Sequence, residues 1–240
     1  MYPCHSARRN AGEQTLAMRL AAEQCMVERR PLYRGYLDMG TFFMSVANDV
    51  AWAVERRAGV APAAIQVIQA LREGVASMGV PGLSGRYETA YGLTRRVRIG
   101  KGLGQGDLSS PVRSKLVLAV MQQAVSRLVR GFKFAGVRER VPIFLYADDG
   151  CYLTDDLASL QLAFDTAWVV TKLMGLKFMV KGKAKSAWSG VYWSGAEEKD
   201  VEGYELKLPC GMVVPQLQGK EFYKYLGTEL PTGWAEGWMY

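Results

Sequence analysis

Two apolar runs, Ile143-Phe144-Leu145-Tyr146 and Cys151-Tyr152-Leu153, are joined by Ala147-Asp148-Asp149-Gly150. Both arms are rich in aromatic or β-branched residues, which favour strands. Asp-Gly is among the strongest two-residue signals for a tight β-turn, because glycine takes positive φ without steric cost. The spacing therefore predicts a β-hairpin that turns at Asp149-Gly150 and carries acid at its tip. A turn needs only one acid, so the adjacent Asp148 requires a further reason.

With 240 residues, 49% of them hydrophobic, the chain has enough material for a proper core and is no disordered tail. Lysine and arginine outnumber aspartate and glutamate by 30 to 23, and the net charge of +7 favours a polyanionic partner. Cys4, Cys25, Cys151 and Cys210 are scattered and His5 is the one histidine, so no zinc ligand set assembles locally and a reduced, intracellular compartment is the simplest account. No apolar run approaches the roughly 20 residues of a membrane-spanning helix. The N-terminus lacks the apolar core of a signal peptide, so the expectation is a soluble protein with no membrane partner.

Along the chain, Leu16, Met18, Leu20, Ala21, Cys25 and Val27 recur at roughly helical spacing and predict a helix from Ala11 to Glu28. Leu32 to Asp38 reads as a strand ending on an acid, a position well placed for function. Phe42 to Val54 reads as the next helix, and another starts near Pro62 and runs to about Ser77. Arg86 to Tyr91 and Arg95 to Ile99 alternate charged and apolar residues around Gly92-Leu93-Thr94, a hairpin with a basic face. Gly100-Lys101-Gly102-Leu103-Gly104-Gln105-Gly106 then precedes a long helix from about Ser110 to Val129, but without GxxxxGK[ST] it is no P-loop. Leu157, Leu160, Phe164 and Trp168 set the buried stripe of a helix that ends at Gly175, with Thr154 as its N-cap. Lys181, Lys183 and Lys185 follow, then short aromatic strands and the strand Phe222-Tyr223-Lys224-Tyr225-Leu226-Gly227.

Asp38, Asp148 and Asp149 thus all stand at strand ends. Crowded carboxylates repel unless a cation lies between them, and hard divalent cations prefer carboxylate oxygens. In-line phosphoryl transfer to a sugar hydroxyl uses two such cations about 4 Å apart.

Tyr146-Ala147-Asp148-Asp149 is the YxDD signature of reverse transcriptases, and the chain resembles that family, closest to its non-LTR retrotransposon members, over nearly its whole length. Leu37-Asp38-Met39-Gly40-Thr41-Phe42-Phe43 is similar to motif A, and the resemblance implies Asp38 as a metal ligand and Phe43 as the aromatic gate against the ribonucleotide 2′-hydroxyl. Gly102 to Pro111 resembles motif B, GxxQGxxxSP, which implies that Gln105 and Gly106 lie against the template base and incoming nucleotide. Tyr146 to Asp149 is motif C, Gly175-Leu176 with the later lysines resembles motif D, and Tyr223 to Gly227 resembles motif E.

The resemblance implies an α+β fold: a right-hand polymerase palm, with a ferredoxin-like antiparallel sheet and helices on one face, plus partial fingers. It places a fingers segment at 1–30, the palm at 31–227 with the fingers-palm connection at about 50–100, and a truncated tail at 228–240 with the thumb absent. The implied catalytic and metal residues are Asp38, Asp148 and Asp149, with two Mg²⁺ ions, or Mn²⁺ in their place. Phe43, Gln105, Gly106, Tyr146 and Lys185 would bind nucleotide and template, and Tyr225, Leu226 and Gly227 would grip the primer. The implied partners are an RNA template, a DNA primer and dNTPs, in the nucleus or cytoplasm.

Several positions depart from the non-LTR pattern DxxKAFDSV. Thr41 replaces the lysine, Phe42 the alanine and Met44 the second aspartate, none of them a metal ligand. Gly104 stands where a basic residue precedes the glutamine, and Met179 where motif D usually has asparagine. The expected function is an RNA-directed DNA polymerase domain of a retroelement. Its alternatives are an inactive retroelement fragment that at most binds nucleic acid, and an RNA-templated RNA polymerase, against which Phe43 argues.

Overall fold

A computed structural model describes residues 11–75, 78, 80–82, 84–86, 88–95, 97–98, 101–103, 109–146, 149–180, 186–219, 221–231 and 233. In chain order the elements begin with helix α1 (Ala11–Glu28), strand β1 (Leu32–Gly40) and helices α2 (Phe42–Ser45), α3 (Asn48–Arg57) and α4 (Pro62–Glu73). Six two-residue strands follow: β2 (Gly74–Val75), β3 (Val80–Pro81), β4 (Ser84–Gly85), β5 (Glu88–Thr89), β6 (Gly92–Leu93) and β7 (Val97–Arg98). Then come α5 (Ser110–Leu128), β8 (Ile143–Tyr146), β9 (Asp149–Thr154), α6 (Leu157–Leu173) and β10 (Lys177–Phe178). The last four are β11 (Ala187–Ser194), β12 (Glu197–Asp200), β13 (Phe222–Tyr225) and β14 (Thr228–Pro231).

The chain divides into two compact units. One comprises Met1–Gly40, Leu118–Leu173 and Lys177–Tyr240, the other Thr41–Val117 with Met174–Leu176. The first unit holds a six-stranded antiparallel sheet in the order β12-β11-β1-β9-β8, with β10 pairing the far end of β1. β1 is central and buried on both faces, so each face needs its own cover.

On one face, Phe164 and Leu160 of α6 pack against Tyr152 over Gly35, where a Cβ would lie 2.5 Å from the Phe164 ring. On the other face, Leu32, Tyr36, Cys151, Leu153, Ala187 and Val191 form a core with α1 and the β13–β14 hairpin. α6 thus lies on one face of the sheet, and α1, from the segment expected in the fingers, lies on the other. α1 buries Met18, Ala21, Ala22 and Cys25 and turns Leu16, Leu20 and Val27 outward, so only part of its apolar periodicity marks the core.

Several boundaries differ from the sequence expectation. The predicted helix from Phe42 to Val54 is two helices, because Val46 takes an extended ψ of 126° and the Ala47 N–H donates to the Met174 carbonyl. α4 stops at Glu73, where Gly74 turns with φ 77° into β2. The basic hairpin exists, but Thr89 pairs Gly92, so the connection is Ala90-Tyr91 rather than Gly92-Leu93-Thr94. The N-cap of α6 is Asp156, whose carboxylate accepts the Ser159 N–H at 2.7 Å, while Thr154 ends β9. Thr228–Pro231 is a strand paired to β13, with Leu230 buried in the core.

The acidic hairpin also turns earlier than expected. Tyr146 pairs Asp149, so Asp149 and Gly150 belong to β9, and residues 147 and 148 between the strands lie outside the described residues. Gly150 serves packing instead. A Cβ there would meet Leu145 Cδ2 at 3.1 Å and Leu37 Cβ at 3.3 Å, tighter than side chains normally approach.

Candidate active site

The site is built by strand register. β1 pairs β9 from Tyr33 opposite Thr154 to Asp38 opposite Asp149, and β9 pairs β8 with Asp149 opposite Tyr146. Residues directly opposite on neighbouring strands point to the same face, with Cβ atoms about 4.5–5.5 Å apart. Asp38, Asp149 and Tyr146 therefore form one row across three strands. The next row inward is Tyr36, Cys151 and Phe144, which belong to or pack against the apolar core. The acids thus sit at the rim of that face, both half-buried, and Tyr146 is 43% exposed.

Asp38 is further held by its main chain. Its N–H donates to the Ser186 hydroxyl at 3.1 Å, and its carbonyl accepts the Met179 N–H at 3.2 Å. Ser186 is itself buried and its N–H bonds the Met179 carbonyl at 3.0 Å. The strand end that presents the carboxylate is thereby clamped on the side away from Asp149.

The β13–β14 hairpin covers the rows beneath. Tyr223 stacks on Tyr36 with ring centroids 3.9 Å apart and planes 12° off parallel. Burial first, and then the negative charges of Asp149 and Asp38, push the Tyr223 phenol above its ordinary range, which places its hydroxyl in the field of the acid pair. Burial likewise raises the Tyr36 phenol to about 12. Arg34 reaches from β1 to donate to the Pro231 carbonyl at 2.8 Å, tying β14 to the sheet.

Tyr225, expected in the primer grip, directs its side chain into the core: it is 1% exposed and its hydroxyl donates to Gln14 Oε1 at 2.8 Å. Gln14 in turn donates to the Leu145 carbonyl at 2.9 Å, so α1, β8 and β13 are linked through one chain of hydrogen bonds. What the hairpin offers at its tip is the backbone of Leu226 and Gly227, with φ of 50° and 82°.

In the second unit, Phe43 is half-buried on α2, edge-on to Phe42 at 5.5 Å. Asp148, Gln105, Gly106 and Lys185, with Lys181 and Lys183, lie outside the described residues. The structure brings Asp38, Asp149, Tyr146 and Tyr223 together. Tyr36 and Tyr223 as a stacked pair beside the acids escaped the sequence reading, although the alternation in Phe222-Tyr223-Lys224-Tyr225 does mark 223 and 225 as the inward face.

Two carboxylates opposed on neighbouring strands supply hard oxygen donors of the type that divalent cations take, and the donor chemistry fits Mg²⁺. Among the described residues no group of three acids, histidines or cysteines is close enough to form a complete ligand set. Among them, too, no helix is long and apolar enough to cross a membrane.

No family model and no curated protein matches the chain. Among solved structures, apo telomerase from Candida tropicalis, truncated from its C-terminal domain, is similar at 12% identity and a TM-score of 0.46, over 78% of this chain and 40% of that one. The chain thus spans about two fifths of the length of that telomerase.

Proposed function

We propose that this chain is an RNA-directed DNA polymerase domain of the non-LTR retroelement type, adding dNTPs to a primer 3′-hydroxyl. The observation that carries the reading is the register that sets Asp38, from the motif resembling A, directly opposite Asp149, from the motif resembling C. Two acids 111 positions apart in sequence have no local reason to meet, and like charges directly opposite on a sheet are destabilising unless something offsets them. The strand order supports the palm reading as well. β11-β1-β9-β8, connected through helices between β1 and β8 and between β9 and β11, is the order of a split βαββαβ sheet.

In this reading Asp38 and Asp149, with Asp148, would hold two Mg²⁺ ions, which would supply activation of the 3′-hydroxyl nucleophile and neutralisation of charge on the departing pyrophosphate. The protein's own part is positional. The clamp through Ser186 and Met179 fixes the Asp38 backbone, the Tyr36–Tyr223 stack fixes the hairpin beside the acids, and the Leu226-Gly227 turn presents backbone toward a primer strand. In the same reading Phe43 would act as the gate against ribonucleotides, and Gln105, Gly106 and Lys185 would contribute to binding nucleotide and template.

Primer extension by the 240-residue chain on a primed RNA template tests this. The expected result is dNTP incorporation that requires Mg²⁺ and falls more than about a hundredfold in Asp38→Asn or Asp149→Asn, beyond what loss of a supporting contact alone produces. Incorporation indifferent to both substitutions would overturn the assignment of these acids. Salt-dependent binding of primer–template with no synthesis would replace the enzyme by a module that only binds nucleic acid.

A further inference from the structure

The last turn of α4 has its polarity inverted. Leu71 is 69% exposed and Val67 59%, while Arg72 is 5% exposed. Burying a guanidinium and exposing a leucine is unfavourable on both counts unless the charge is well satisfied by hydrogen bonds. Arg72 directs its fork to two successive carbonyls and to Asn48. Nη1 donates to the Gly102 carbonyl and to Asn48 Oδ1, and Nη2 donates to the Leu103 carbonyl. The Leu103 carbonyl also accepts the Ser110 hydroxyl, at the first residue of α5.

The amides of the same two residues go the other way. Gly102 N–H donates to the Val46 carbonyl at 2.8 Å, and Leu103 N–H to the Phe43 carbonyl at 2.6 Å. The contact is close as well as hydrogen-bonded: Gly102 has φ 93°, and a Cβ on it would sit 2.9 Å from the Phe43 oxygen and 3.0 Å from Met44 Cα. The segment that carries Phe43 and the Gly102-Leu103 strap are therefore one piece, joined by two backbone hydrogen bonds and a close backbone contact. Arg72 holds that piece from the carbonyl side.

We propose that Arg72 is a positioning residue for nucleotide selection, latching the Gly102-Leu103 strap onto the backbone of Phe43 so that the Phe43 ring is held in place. Its consequence for selection rests on the polymerase reading given above; the latch itself does not. The planar fork of arginine reaches two successive carbonyls at once, which the single ammonium of lysine cannot do in the same geometry.

The test uses Arg72→Lys, which keeps the charge, and Asn48→Ala, which removes one of the acceptors of Nη1, both in the full chain. Hydrogen exchange at the Gly102 and Leu103 amides is read first, since it needs no activity. Exchange about tenfold faster in Arg72→Lys, the effect of losing one hydrogen bond to a charged group, with Leu37 and Cys151 amides unchanged, is the expected result, and Asn48→Ala moves it less in the same direction. Unchanged exchange, or equal acceleration at Leu37 and Cys151, overturns the latch.

Primer extension is read second. Arg72→Lys is expected to raise the KM for dNTP and to lower deoxy-over-ribo discrimination about tenfold, with kcat at saturating nucleotide little changed. Faster exchange with discrimination intact overturns the role in selection. A wild-type chain that incorporates nothing would defeat the polymerase reading, while the exchange arm still decides the latch.

Discussion

The two units hold their functional candidates by different physical means. In the sheet unit, Asp38, Asp149 and Tyr146 are placed by a backbone ladder: six consecutive pairings between β1 and β9 fix which residues face each other, whatever the side chains are. In the other unit, Phe43 rides on a four-residue helix that regular structure alone could not position. The strap against its backbone is held by the buried Arg72 fork, and the same unit buries the Glu55–Arg113 ion pair, whose side chains are 3% and 4% exposed. Ladders tolerate polar substitution and fail by steric intrusion or register slip. Side-chain latches tolerate little, because removing one partner strands another.

The largest expected effect follows from that contrast. Arg113→Ala leaves Glu55 buried without its cation, and the stability measured by urea unfolding should fall by about 3–5 kcal/mol. Replacing both together, as Glu55→Leu with Arg113→Met, should restore most of the loss. A single substitution costing under about 1 kcal/mol, the worth of an exposed pair, would show that this unit is not held by buried charge.

On the ladder side, the vulnerable point is steric. Gly35→Ala puts a methyl 2.5 Å from Phe164 Cε2 and 2.9 Å from Tyr152 Cδ2, and should cost about 1–3 kcal/mol. Trimming the opposing ring with Phe164→Leu in the same chain should recover part of it. A neutral Gly35→Ala would mean that α6 is free to move off the sheet.

Alkali should then weaken the sheet unit through its buried phenols and thiols. Burial raises Tyr36 from 10.0 and Cys25 from 9.0, each to about 12, and also raises Cys151, Tyr223 and Tyr225. The folded state keeps these groups protonated while the unfolded state ionises, so their contribution is intact below the unfolded values and is lost as pH rises through the folded ones. For Tyr36 that window runs from pH 10 to about 12, at up to about 1.4 kcal/mol per pH unit. Melting temperature followed from pH 8 to 11 should hold to about pH 9 and then fall, less steeply in Tyr36→Phe.

The smallest effect is the most specific. Asp38→Asn, a near-isosteric change at a half-buried position, should alter stability by no more than about 1 kcal/mol while abolishing synthesis. A loss of several kcal/mol in urea unfolding would instead mark a residue kept for structure.

Much of the sheet was legible beforehand for a local reason. The apolar runs Ile143 to Tyr146 and Cys151 to Leu153 and the strand Leu32 to Asp38 are local strand signals, and they survive as β8, β9 and β1. The same local reading misjudged Gly150, because a glycine that turns a chain and a glycine that lets Leu37 and Leu145 close over it look alike in one dimension. It ran α2 into α3 for a related reason: the break at Val46-Ala47 is made by a hydrogen bond to Met174, 127 positions away, and no local periodicity encodes it.

What the sequence determined by itself is therefore most of the elements and the inventory of chemistry, including aspartates at 38, 148 and 149 and an aromatic five residues after the first. Propensity and motif spacing are short-range properties and can be read along the chain. Only the tertiary structure decided that Asp38 faces Asp149, that Tyr223 stacks beside them, and that Arg72 is buried where Leu71 is not. Each depends on register or packing between segments far apart in sequence, where many pairings satisfy the local rules and one satisfies burial on every face.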